Sequence, residues 1–175
     1  ARLGEGRQEL TILEVSERPL GPFDAEMVGL LMDASRDEGI QVRTGIQITA
    51  IERHASELSV QMTGGQLLTA DLVVNGAGRV PNLEDLALET GGIDHSRRGI
   101  DVDAGMRTSN PRVFAVGDCA ATIQLARVAD YEGLVAARNI LAELGLSEGA
   151  RVDYAAVPAV LFTYPQYGMV GMTED

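Results

Sequence analysis

Lysine is missing from this sequence: all 14 of its basic residues are arginine. That excludes a lysine Schiff base and the lysine of a phosphate-binding P-loop. The single cysteine, Cys119, excludes a disulfide framework, a four-cysteine zinc site and a redox-active cysteine pair within the chain. With only two histidines, His54 and His95, a multi-histidine metal centre is not expected, and no metal site is assigned. Positive charge is short as well. The arginines are outnumbered by 26 carboxylates, which gives a net charge of −12 and a pI near 4.5. Phosphate contacts need basic patches, so no nucleic-acid partner and no anionic-membrane role is expected. No apolar run reaches the roughly 18 residues of a membrane-spanning helix. The opening Ala1-Arg2-Leu3-Gly4 lacks the layout of a signal peptide, and a cytoplasmic location is expected. An alanine in first position, and an end at Met172-Thr173-Glu174-Asp175 where a helix would begin, suggest a piece of a longer protein.

What is present is ordinary. The 175 residues, 45% apolar and 23% charged, amount to one domain or one domain plus a piece of another. Glu9-Leu10-Thr11-Ile12-Leu13-Glu14-Val15 reads as a buried strand closed by an acid. Asp24 is placed to cap a helix in which Met27, Val28, Leu30, Leu31 and Ala34 follow the 3.6-residue period, with Gly39 as its stop. Strands are expected at Ile40–Arg43, Ile48–His54, Leu58–Met62 and Leu67–Val74, the last two separated by a Gly64-Gly65 turn. This order predicts a strand–helix–strand unit followed by an antiparallel meander. From Gly76 to Gly105 the chain reads as irregular. Arg112–Val116 is predicted as a buried strand ending at Gly117-Asp118, followed by a helix from about Gln124 to Leu144 and a strand within Val157–Thr163.

Several patterns invite a ligand. Gly4-Glu5-Gly6-Arg7-Gln8-Glu9 starts like a dinucleotide glycine loop, but its sixth position is not glycine and a strand follows instead of a helix, so a surface loop is the reading. Glu14 ends a strand where a carboxylate can accept hydrogen bonds from ribose hydroxyls; taken alone it reads as a surface acid. Gly76-Ala77-Gly78-Arg79-Val80-Pro81-Asn82 follows the apolar strand end at Val74, and is equally a close-approach loop for a ligand or a tight exit turn. Val113-Phe114-Ala115-Val116-Gly117-Asp118 delivers a carboxylate to a strand end, and the helix after it points N–H groups at the same crevice. An ordinary strand-to-helix loop explains that arrangement equally well. Cys119 reads as a buried filler, His54, His95, Glu5 and Glu9 as surface groups, and Arg97-Arg98 as a turn.

Taken in order, Leu10–Glu14, Gly76–Asn82 and Val113–Asp118 resemble three successive motifs of the flavin-dependent pyridine nucleotide–disulfide oxidoreductases, which include dihydrolipoamide dehydrogenase, glutathione reductase and mercuric reductase. Val157–Pro165 and Val170–Glu174 resemble the opening of that family's dimerisation domain. The resemblance implies FAD and NAD as cofactors, with NADP less favoured. Glu14 would then hold the adenosine ribose of NAD, Ile48 would pack on its adenine, and Gly78 would let it approach the backbone. Gly117 and Asp118 would meet the ribityl chain of FAD, and Gln124, Leu125, Ala126 and Arg127 would form the helix start beneath its ring. Gln124–Arg127 and Glu132-Gly133 look most like dihydrolipoamide dehydrogenase, with Arg127 where that enzyme often has histidine.

The family's two glycine loops, its C-x-x-x-x-C pair and its interface His–Glu pair are absent, so no catalytic residue is assigned. The implied architecture is α/β. Residues 1–105 would be a truncated Rossmann-type NAD-binding domain with a small meander, 106–150 the returning segment of the FAD domain, and 151–175 the start of the dimerisation domain. The implied parent is a homodimer acting on a disulfide or dithiol. The rivals are an NADH peroxidase or oxidase, a ferredoxin-reductase-like flavoprotein, and a non-catalytic nucleotide-binding module.

Overall fold

A computed structural model describes residues 9–172. The Gly4–Gln8 part of the rejected glycine loop, Glu5, Ala1–Gly4 and Thr173–Asp175 lie outside them. The described residues fall into two compact units, one running to Gly76 and resuming at Val160, the other Ala77–Ala159.

In the first unit, β1 (Leu10–Leu13) pairs in parallel with β2 (Ile40–Arg43), Leu10 opposite Ile40 and Leu13 opposite Arg43. Parallel neighbours need a crossover, and α1 (Ala25–Asp37) supplies it. Its start is set by Asp24, whose carboxylate accepts from the Met27 N–H at 2.9 Å. The predicted stop also stands, with Gly39 at φ 81°. Of the predicted apolar stripe, Val28 and Leu31 are buried, whereas Met27 and Leu30 are 47% and 58% exposed. The stripe is wider than the two-stranded sheet it covers. The same narrowness corrects the expectation of a buried strand at Glu9–Val15: only Leu10–Leu13 pairs, and Ile12 is 45% exposed. Asp24→Ala is expected to lower stability by about 1 kcal/mol through loss of the cap. The urea-unfolding midpoint checks it; an unchanged midpoint would remove the cap from the account.

The predicted meander is present as β3 (Ile48–His54), β4 (Glu57–Met62) and β5 (Leu67–Ala70), antiparallel in that order. Gly64 and Gly65 form the expected turn before β5. Val60 and Met62 share the inward face of β4 and are buried. β5 stops at Ala70, short of the predicted Val74, and Leu72 and Val74 are exposed. The strand expected within Val157–Thr163 shortens to β8 (Ala159–Leu161), which pairs with β9 (Tyr167–Met169). The Tyr167 ring packs at 5.4 Å, centroid to centroid, against Phe23 in the loop entering α1.

The second unit is built mostly from loops around one core. Its irregular first part contains a two-residue hairpin, β6 (His95–Ser96) and β7 (Gly99–Ile100), with Arg97-Arg98 as its turn. The strand predicted at Arg112–Val116 does not form a ladder: the segment makes one bridge, Phe114 with Arg107, and no described strand lies along it. It is extended backbone leading into a 3₁₀ turn at Gly117–Cys119. α2 (Ala126–Glu143) begins two residues later than expected, with Leu125 as its N-cap.

Met106 and Ala120 are fully buried with Leu88, Ile100, Ala115, Val135 and Ala136, and Ala150 and Val152 pack on the same cluster. Asn139 on α2 ties this cluster together, donating to the Gly105 and Ala150 carbonyls and accepting from the Ala150 N–H. Such bonds keep residues 150–154 with the second unit.

Candidate functional site

In the second unit the Gly117–Cys119 turn sits where the extended segment meets α2. Gly117 takes φ 69°, and a Cβ there would stand 3.0 Å from the Ala129 side chain. Both facts call for glycine. Its N–H donates to Glu132 Oε2 at 2.6 Å, and its carbonyl accepts from Ala120 N–H at 2.9 Å. With the turn's backbone closed in this way, the Asp118 carboxylate is left at the exposed edge. Arg79 Nη1 lies 3.4 Å from Asp118 Oδ2, and Gln124 Nε2 donates to the Asp118 carbonyl at 3.3 Å. Both members of the ion pair are mostly exposed, so it contributes at most about 1 kcal/mol and can open for a ligand.

Arg79, Val80, Pro81, Asn82, Asp118, Cys119 and Gln124 line one concavity of about 420 Å³. Gly78 precedes it, with open space around its α-carbon. The start of α2 has no side-chain cap: Leu125 is extended at φ −132°, and the first helical N–H groups, from Ala126 to Val128, have no acceptor within the helix. That end carries partial positive charge and favours an acceptor. Arg127 points away into solvent, 3.5 Å from Asp130.

The other two candidates belong to the first unit. Glu14 directly follows β1, its N–H donating to the Arg43 carbonyl and its carbonyl accepting from Ile46 N–H, both at 2.9 Å. The Ser16 N–H donates to its carboxylate at 2.8 Å and holds it below the usual carboxylate range. Ile48 opens β3, opposite Met62, and is 42% exposed.

Cys119 is half-buried, its thiol donating to the Val116 carbonyl at 3.2 Å, and packs on the core of the unit. His54 pairs with Glu52 and His95 with Glu89, both at the surface. Among the described residues no three His, Cys, Asp or Glu side chains are placed to hold a metal, and no helix is long and apolar enough to cross a membrane. Sequence reasoning assigned no role to Glu132 and Tyr154. Glu132 is fully buried, and the Tyr154 hydroxyl donates to its Oε1 at 2.7 Å. Burial, then the Glu132 carboxylate, push the Tyr154 phenol well above its usual range, so it stays a donor. A signal existed: Glu132 falls in phase with the buried Val128, Val135 and Ala136 of α2.

The parallel β1–α1–β2 unit, its meander, and a glycine–aspartate turn feeding a helix define an α/β protein of the Rossmann nucleotide-binding type. The family model for pyridine nucleotide-disulphide oxidoreductases matches residues 1–133, and the chain belongs to that family. It is 31% identical to a dihydrolipoyl dehydrogenase of Bacillus subtilis over 99% of its length, covering 36% of that enzyme. It is 36% identical to a glutathione reductase of Burkholderia cepacia over 87% of its length, covering 33% of that enzyme. The crystal structure of LpdA from Mycobacterium tuberculosis matches 93% of the chain with a TM-score of 0.81 at 26% identity, and 35% of that structure is covered. The chain thus spans about a third of the length of these relatives.

Proposed function

We propose that this chain is the nucleotide-binding middle of a flavoprotein disulfide oxidoreductase resembling dihydrolipoamide dehydrogenase. Residues 1–105 would serve NAD, 106–150 return to the FAD site, and 151–175 open a dimerisation domain. The observation that carries the reading is the Gly117–Asp118 turn, which presents a carboxylate beside an uncapped helix start. The donor set suits a flavin. A carboxylate accepts from the hydroxyls of a polyol chain, and uncapped N–H groups stabilise negative charge on a reduced ring. Asp118 would take the ribityl hydroxyls, while Gln124, Leu125, Ala126 and Arg127 supply the helix start. Glu14, Ile48 and Gly78 would serve the pyridine nucleotide. The chemistry such a flavin supplies is hydride exchange with the nucleotide and electron exchange with a disulfide. The whole protein would work as a cytoplasmic homodimer on a disulfide or dithiol.

Asp118→Ala in the whole protein is expected to weaken flavin binding at least tenfold, from loss of charge-assisted bonds worth about 1.5–3 kcal/mol. Flavin absorbance per polypeptide after dialysis measures it, and full retention would remove Asp118 from the site. The 175-residue chain alone is expected to reduce neither lipoamide nor glutathione disulfide, since Cys119 has no partner thiol for exchange. Turnover by this polypeptide would overturn that expectation.

A further inference from the structure

Glu132 is an unusual residue to bury. Its carboxylate is wholly inside the second unit, yet among the described residues no arginine or histidine lies within ion-pair distance of it. Desolvating a carboxylate costs several kcal/mol, and an apolar side chain of similar volume would fill the same helix position without that loss. Packing therefore does not explain a glutamate here. What the carboxylate does is accept twice. Oε2 takes the Gly117 N–H at 2.6 Å and Oε1 takes the Tyr154 hydroxyl at 2.7 Å, so both oxygens are committed. The Tyr154 hydroxyl also lies 3.9 Å from the sulfur of the fully buried Met106. One chain of contacts thus runs from the 150–154 segment through α2 to the turn that carries Asp118.

We propose that Glu132 is a positioning residue: by holding the Gly117 N–H from inside α2, it sets the Asp118 carboxylate at a fixed place relative to the uncapped start of that helix. This rests on the flavin reading above and deepens it. The two acceptor and donor groups that would meet the flavin come from different segments; Gln124 bonds them at the exposed edge through the Asp118 carbonyl, and Glu132 is the buried side chain that bonds them from inside α2. Glu132 is fully buried, and both of its oxygens are bonded to protein groups. It acts only through Gly117.

The test uses the whole flavin-loaded protein with three variants and two readouts. Glu132→Leu keeps the volume and removes both acceptors. Glu132→Gln keeps one acceptor oxygen for Gly117 and an amide that can donate to Tyr154. Tyr154→Phe keeps the ring and removes the donor that orients Glu132. The first readout is hydrogen exchange at the Gly117 amide, and the second is the flavin dissociation constant, each taken beside the melting temperature of the flavin-free protein. Expected for Glu132→Leu is a lowered melting temperature, because the Gly117 N–H and the Tyr154 hydroxyl lose their acceptor, with exchange at Gly117 at least tenfold faster and flavin bound about tenfold more weakly. Glu132→Gln is expected to restore both to within about threefold of wild type, a rescue that a volume-filling role would not show. Wild-type flavin affinity and Gly117 exchange in Glu132→Leu would overturn the proposal. If that variant does not fold, Tyr154→Phe decides. Exchange at Gly117 faster than wild type supports the proposal, and unchanged exchange overturns it. The Gly117 readout does not involve flavin, so it separates this inference from the reading beneath it. That reading fails instead if Asp118→Ala retains flavin fully.

Discussion

In the whole protein, Glu14→Ala is expected to raise the ratio of kcat/KM for NADPH over NADH by about 10- to 100-fold, from a wild type that prefers NADH. Glu14 stands at the end of β1, where a Rossmann unit meets the adenosine ribose. Ribose hydroxyls would donate to its carboxylate, whereas a 2′-phosphate of charge near −2 would be repelled by it. An arginine is the residue that would favour the phosphate, and Arg18 is the nearest along the chain. Its guanidinium is already engaged, donating to the Phe23 and Gly21 carbonyls at 2.8 Å, so it is held against the loop entering α1. The Ser16 N–H lowers the pKa of Glu14, so the charge is present above that lowered value and is lost only as the pH falls through it. Glu14 therefore keeps its charge through the neutral range, and the preference should hold level from pH 8 to about 7 and weaken below that as the 2′-phosphate, with a second pKa of about 6, takes up a proton. A wild type that favours NADPH, or a ratio that Glu14→Ala leaves unchanged, would refute the assignment.

Gly99→Ala is expected to have the largest effect on stability, a loss of about 2–4 kcal/mol. Gly99 takes φ 137°, and an added Cβ would stand 2.7 Å from the Cys119 carbonyl oxygen and 2.8 Å from the Ala121 nitrogen. Those are backbone atoms, and they cannot swing aside as a side-chain tip would. They also belong to the segment that closes the core, since Ala121 N–H donates to the Ile100 carbonyl and Ile100 bridges Ala120. Accommodating the methyl group would open that contact beside the Gly117–Cys119 turn. Gly133→Ala is the informative control. It lies inside α2, and apart from its chain neighbours and the helix's own backbone nothing lies within 4 Å of the added Cβ, so it should stabilise by about 0.5–1 kcal/mol. Denaturant unfolding of both variants tests the pair; equal effects would mean that the close approach at Gly99 does not matter.

The elements that can be read from the sequence are those whose causes are local. The β1–α1–β2 unit follows from an apolar run, the Asp24 cap, a 3.6-residue stripe and the Gly39 stop, all within about 35 residues of one another. The meander follows in the same way from alternation and the Gly64-Gly65 turn. The absence of lysine and the single cysteine likewise decide by themselves which chemistries this chain does not carry.

Only the tertiary structure decided the rest. Arg112–Val116 has the composition of a strand, but a strand is made by its neighbours, and the segment finds a single bridge to Arg107. Arg79 and Asp118 are 39 positions apart and meet at 3.4 Å because separate loops converge on one concavity. The buried carboxylate of Glu132 was hidden for the same reason. Its phase on α2 is visible in the sequence, but its partners Gly117 and Tyr154 lie 15 positions before it and 22 after it. Periodicity and caps are written in adjacent residues, whereas the pairing of a buried polar group depends on which distant segments the packed core brings within 3 Å.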